Sequence, residues 1–156
     1  MTAQLVIDEQ AFYDSVMAEF QKVKVPCQSA MAATFYNTVM ANFDGGEGQD
    51  RPIEWEKLRA GYANFAHGGD RTPRLQLSGE LKSSVQGNDM NPDAAVIFCD
   101  SPYGSFHQEG GTSYWNNKSY EIPARPFFPI ANGEVTPQTT QKCLEACEQE
   151  LIARLK

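Results

Sequence analysis

The chain has 156 residues, is 41% hydrophobic and carries a formal net charge of −7, a length that suits one compact domain burying roughly 70% of the surface its unfolded chain would expose. The acidity argues against tight binding to nucleic acid, which draws its affinity largely from Lys and Arg displacing counterions from phosphates. No run of about 18 apolar residues suits a membrane span, and MTAQLVIDEQ has neither the basic flank nor the apolar core of a signal peptide, so a cytoplasmic chain with reduced cysteines is expected.

From Asp8 to Lys24, Phe12, Val16, Phe20 and Val23 fall on one face at helical spacing, which predicts an amphipathic helix. Pro26 predicts a break and the start of a second helix, where Met31, Phe35, Val39 and Phe43 recur every four residues until Asp44, Gly45 and Gly46. The polar stretch from Glu47 to Arg74 contains Trp55, Leu58, Tyr62 and Phe65 at spacings that suit a short helix. In LQLSGELKSSV an extended entry passes through Ser78 and Gly79 into a helical turn.

Gln86 to Asp93 is rich in turn formers, and AAVIFCD after it reads as a buried strand that pairs with the segment around Val85 as a hairpin. A strand at Tyr120 to Ile122 would add a third antiparallel member, giving a small sheet of three to four strands. Gly110 to Ser119, with Tyr114 and Trp115, reads as a polar loop. Thr136 as N-cap and Pro137 at the first helical position predict a long C-terminal helix. Its apolar stripe would be Thr140, Leu144, Cys147, Leu151 and Leu155, with Cys143 and Ile152 beside it and Arg154 and Lys156 at the end, packed on the sheet. The class is α+β, in a single domain over 1–156.

Several constellations invite a chemical reading. His107-Gln108-Glu109 has the H-x-E spacing of zinc deaminases, but the P-C-x-x-C pair that such a site requires is missing after Pro26-Cys27. Cys143 and Cys147, four apart, are explained more simply as small apolar residues on a buried stripe than as metal ligands. There is no G-x-S-x-G elbow, and Gly45-Gly46-Glu47-Gly48 is followed by no Lys-Ser/Thr. No catalytic residue, cofactor or metal follows from these patterns.

The segment from Tyr103 to Phe128 instead has the chemistry of a docking surface. Tyr103, His107, Gln108, Glu109, Tyr114, Trp115, Pro123, Arg125, Pro126, Phe127 and Phe128 combine aromatic anchors with a few polar groups. Pro123 and Pro126 fix their own φ and push Ile122 and Arg125 toward extended geometry, so the arm is already partly ordered. Arg125 is costly to bury alone and calls for a carboxylate or carbonyl partner, with Glu109 as one candidate. The alternative is that Ile122, Phe127 and Phe128 close the core of the monomer.

The order Trp55, Leu58, LQLSGELKSSV, Tyr103, HQEGG and IPARPFF resembles the virion morphogenesis or tail-completion family of tailed, Mu-like bacteriophages over roughly residues 55–130. The resemblance implies a non-enzymatic virion protein of the neck or tail terminus, acting in head-tail joining or tail completion. It implies copies assembled into a ring, hexameric in the family, with other neck or tail proteins as partners. DNA would then be cargo passing through a channel, and an acidic wall would let it slide. Glu109 departs from the family pattern, where an apolar or aromatic residue often follows His-Gln. Two other readings are a non-viral adaptor that uses the same aromatic arm and a small zinc-dependent enzyme.

Overall fold

A computed structural model describes residues 8–45, 47–72, 75–91 and 94–154. Asp8 opens the first helix, α1 (Glu9–Asp44), by accepting the N–H groups of Gln10 and Ala11 at 3.1 and 3.0 Å. Gly45 closes it in the left-handed region at φ 68°, donating to the carbonyl of Ala41. Gly46 lies outside the described residues.

The predicted break at Pro26 is absent, and α1 runs through it for 36 residues. Proline withdraws one N–H from the ladder, but the turn that contains it is held from outside. The Sγ of Cys27 points to the carbonyl of Cys147 at 3.7 Å, and the Sγ of Cys143 to that of Met31 at 3.5 Å. These pairs run in opposite directions along the two chains, so the C-terminal helix α5 (Pro137–Arg154) lies antiparallel along α1. Its main support is that helix, not the expected sheet.

Between these two long helices come α2 (Ala60–His67), α3 (Glu80–Ser83) and the antiparallel pair β1 (Val85–Asn91) and β2 (Ala94–Cys99). Then follow α4 (Gly104–Glu109), the pair β3 (Gly111–Trp115) and β4 (Lys118–Ile122), and the short pair β5 (Ile130–Ala131) and β6 (Glu134–Val135). The class is α+β. The sheet of three to four strands is replaced by three separate two-stranded pairs, because the Tyr120 strand pairs with Gly111–Trp115 and not with the Val85 hairpin.

Four other expectations change. Most of Gln86 to Asp93 is strand rather than turn, with Pro92 and Asp93 outside the described residues. The AAVIFC strand lies at the surface, with Val96 and Phe98 exposed. The loop at 110–119 is a hairpin whose turn residues Asn116 and Asn117 both have positive φ, the geometry of tight hairpin turns. Trp55 and Leu58 precede α2, outside any helix or strand, and are buried, whereas Phe65 within it is exposed.

On α5, Cys143 is buried beside the predicted stripe and Cys147 and Leu151 are half-buried, but Thr139 is buried in place of the expected Thr140, and Thr140 and Leu144 are exposed. Leu155 and Lys156 lie outside the described residues. Thr136 occupies the cap position, its carbonyl accepting from Thr140, but its side chain does not cap the helix. Asp50 does so from the 45–59 connection, taking the Thr139 N–H at 3.0 Å, the Thr139 hydroxyl at 2.7 Å and the Thr136 hydroxyl.

The core gathers where α1 meets the central segments: Val39, Phe43, Trp55, Leu75, Leu81, Val85 and Phe127. Asn42 lies fully buried beside it with its amide satisfied, donating to the carbonyls of Asp50 and Phe127 and accepting from the Asp50 N–H. Arg51 adds the end of the helix to this junction by donating to the Asn42 carbonyl while its guanidinium stacks 3.8 Å over the Trp55 ring.

Candidate functional site

The GSFHQE residues form α4, a turn and a half of helix that follows Tyr103 and that sequence periodicity does not reveal. The helix ends at Gly110, whose φ of 77° and close approach to Ala124 N both exclude a side chain; a Cβ there would lie 2.8 Å from that nitrogen. Gly111 has no room either, since a Cβ would meet the Phe106 ring at 2.7 Å. The two glycines of HQEGG therefore let the chain turn back and bring residues 124–128 against α4.

The contact that results is made largely by Gln108. Its side-chain carbonyl accepts the backbone N–H groups of Phe127 and Phe128, each at 3.0 Å, and its amide donates to the Phe128 carbonyl at 3.2 Å. Alongside, the Arg125 N–H donates to the His107 carbonyl at 2.7 Å. Trp55 Nε1 donates to the Pro126 carbonyl at 3.1 Å. The proline-braced arm thus has its backbone groups satisfied by side chains from three parts of the chain, as an irregular buried segment requires.

These bonds carry the arm inward. Phe127 is 1% exposed and packs on Phe43 with ring centroids 4.9 Å apart, and Phe128 is half-buried against Phe35 at 6.2 Å. Arg125 and Pro126 are buried and Pro123 is half-buried. Core closure describes the position of Phe127 within the chain. The outward aromatic groups of the same stretch include Tyr103, on the rim of α4, Tyr114, 78% exposed on β3, and Tyr120 on β4. Glu109 is exposed at the end of α4, and the side chain of Trp115 lies outside the described residues.

Arg125 finds a carbonyl partner, Glu56, at 3.2 Å from Nη2, and not Glu109. Burial lowers its affinity for a proton, with Glu56 and Tyr62 acting in the opposite direction. His107 is pushed below its ordinary range by burial and then by Arg125, so its imidazole is neutral at pH 7. His107 Nδ1 and Arg125 Nε are both buried with no protein partner, which marks this junction as its least satisfied polar spot.

A cavity of about 240 Å³ beside this junction is lined by Tyr62, His67, Glu80, Ser101, Tyr103 and His107, so the fold brings both histidines to one place. His67 stands edge-on to Tyr62 at 5.6 Å. Among the described residues, no hydrogen bond joins either imidazole side chain to Ser78, Ser101 or Glu80. Among the same residues, no group of three His, Cys, Asp or Glu side chains could hold a metal ion. Burial raises the thiols of Cys27 and Cys143, which keeps them protonated in the α1–α5 seam.

No helix among the described residues is long and apolar enough to cross a membrane. Sequence reasoning assigned Gln108 to a surface and did not single out Asn42 or Asp50; short polar residues reveal such roles only when their backbone partners are known. No protein-family model, curated protein or solved structure matches the chain.

Proposed function

We propose that this chain is a structural subunit of the neck or tail terminus of a tailed bacteriophage, joining heads to tails or completing the tail as one copy in a ring. The observation that carries the reading is the way the motifs behind the family resemblance depend on one another. Leu81 of LSGELKSS and Phe127 of IPARPFF share one core, and Gln108 of HQEGG fixes the backbone of Phe127 and Phe128. Segments tied together in this way form one unit of structure, which is why they would occur together and in a fixed order.

The subunit surface is consistent with assembly. The β3–β4 hairpin is a lone two-stranded pair with Tyr114 and Tyr120 exposed, and lone pairs of this kind are marginal unless something covers them. It is fastened to the body by Arg59, which donates to the Glu121 carbonyl at 3.2 Å. The net charge of −7 suits a channel wall that lets DNA pass without gripping it.

Particle assembly with the gene deleted tests the reading. Filled heads should accumulate without attached tails, beside finished tails if the chain joins the two and unfinished tails if it completes the tail, and a plasmid copy should restore whole particles. Normal yields of infectious particles without the gene would overturn the reading.

A further inference from the structure

The face of α1 that α5 covers does not end where α5 does. Cys27 and Met31 lie against α5, and counting back at 3.6 residues per turn puts Tyr13, Val16 and Phe20 on that same face, with Phe12 and Met17 flanking it on either side. All five are exposed, Phe12 at 66% and Phe20 at 57%. Together they present roughly 500 Å² of apolar surface, at the upper end of the largest patch on an ordinary monomer.

A second apolar surface lies further along the same helix. A groove of about 460 Å³ runs between α1, α5 and the strands, floored by Met31, Phe35, Ile97 and Cys143 and edged by Val135 and Leu144. Val135 and Leu144 are exposed. The stripe cannot fill this groove in its own subunit, because both belong to one unbroken helix that cannot fold back on itself.

We propose that residues 12–20 of one copy dock into the α1–α5 groove of the next, in a contact repeated from subunit to subunit. The proposal rests on the ring reading and supplies its two unlike patches, one donating and one receiving, as a closed ring of identical copies requires. Three observations favour a second copy. The stripe continues an existing helix seam; the stripe and the groove lining are both mainly apolar; and the stripe's roughly 500 Å², matched by an equal area of the groove and its rim on the next copy, would reach the area of about 1,000 Å² that a specific interface needs. A two-fold contact of stripe on stripe would leave the groove uncovered.

Two variants at exposed positions test this, Val16→Glu in the stripe and Leu144→Arg in the groove. Thermal melts establish that both fold as the parent does. Sedimentation velocity should show the parent self-associating and each variant alone weakened at least about tenfold. Mixed at equal concentration, the two should form a one-to-one dimer, since the first keeps an intact groove and the second an intact stripe.

If both variants assemble as the parent does, the proposal falls and the ring reading stands. If Leu144→Arg associates normally while Val16→Glu does not, and the mixture yields no mixed dimer, the contact is two-fold and the proposal is wrong. A parent that stays monomeric up to millimolar concentration refutes the proposal and removes the support it gives the ring.

Discussion

Gln108 and Phe127, nineteen positions apart, are joined by a 3.0 Å hydrogen bond from the buried Phe127 N–H to the Gln108 side-chain carbonyl. The same oxygen takes the Phe128 N–H. Replacing Gln108 with Ala leaves the Phe127 and Phe128 N–H groups without partners, while the Phe128 carbonyl keeps the Ile130 N–H at 2.8 Å. At about 1–3 kcal/mol for each buried group left unpaired, the loss should total about 2–4 kcal/mol, since these sites are only partly buried. Urea unfolding measures it, and Gln108→Glu, which keeps the acceptor oxygens, should fall between the two.

Asp50 supports the start of α5 from outside the helix. Asp50→Ala removes the acceptor for the Thr139 N–H, the Thr139 hydroxyl and the Thr136 hydroxyl, and should cost about 1–2 kcal/mol, as loss of an N-terminal cap does. Hydrogen exchange should quicken most at the first amides of α5. Unchanged protection there would mean that packing on α1 alone holds the helix.

His107 links stability to pH. Burial and Arg125 lower its proton affinity in the folded state from the ordinary value of 6.5. In the window below 6.5 the unfolded chain therefore binds more protons than the folded one. Its contribution is fully present above that window, is lost as the pH falls through it, and levels off once the folded imidazole also takes a proton. His107→Asn removes this dependence, so the stability difference between parent and variant should change between neutral and mildly acidic pH in that direction. Parallel urea titrations of the two proteins should reveal it, and a constant difference would place the imidazole in solvent.

Pro26 lies inside an α-helix, where proline costs about 3 kcal/mol relative to alanine in an exposed site. Part of that cost is already absorbed by packing against α5, so Pro26→Ala should stabilise the protein by about 1–2 kcal/mol and raise its Tm. Two helices hinged at residue 26 would show no such gain.

Pro26 also shows which parts of the fold could be read in the sequence. Long periodic segments were legible: both long helices, the turn at Gly79 and the pairing of Val85 with the AAVIFC strand follow from spacing and turn chemistry. The continuity of α1 was not, because the contacts that override the proline come from Cys143 and Cys147, more than a hundred residues away. The rotation of the α5 stripe from Thr140 to Thr139 has a similar cause, since Asp50 fixes the helix start from a distant loop.

The candidate site was legible in part for the same reason. Arg125 requires a carbonyl or carboxylate by its chemistry alone, and it has the Glu56 carbonyl, but only the folded chain could select that residue over Glu109. The prolines did indicate an ordered arm. Its direction was decided by Gln108, Trp55 and Asn42, which draw it into the core through backbone bonds that leave no trace in side-chain pattern.

The most direct test of the ring-subunit claim is electron cryomicroscopy of assembled particles from a phage that encodes this chain. The account predicts a closed ring of copies at the head-tail junction or tail terminus, each fitted by the fold described above with its Phe127 buried inside the subunit. A density map in which every neck and tail component is assigned and this chain is absent would contradict it.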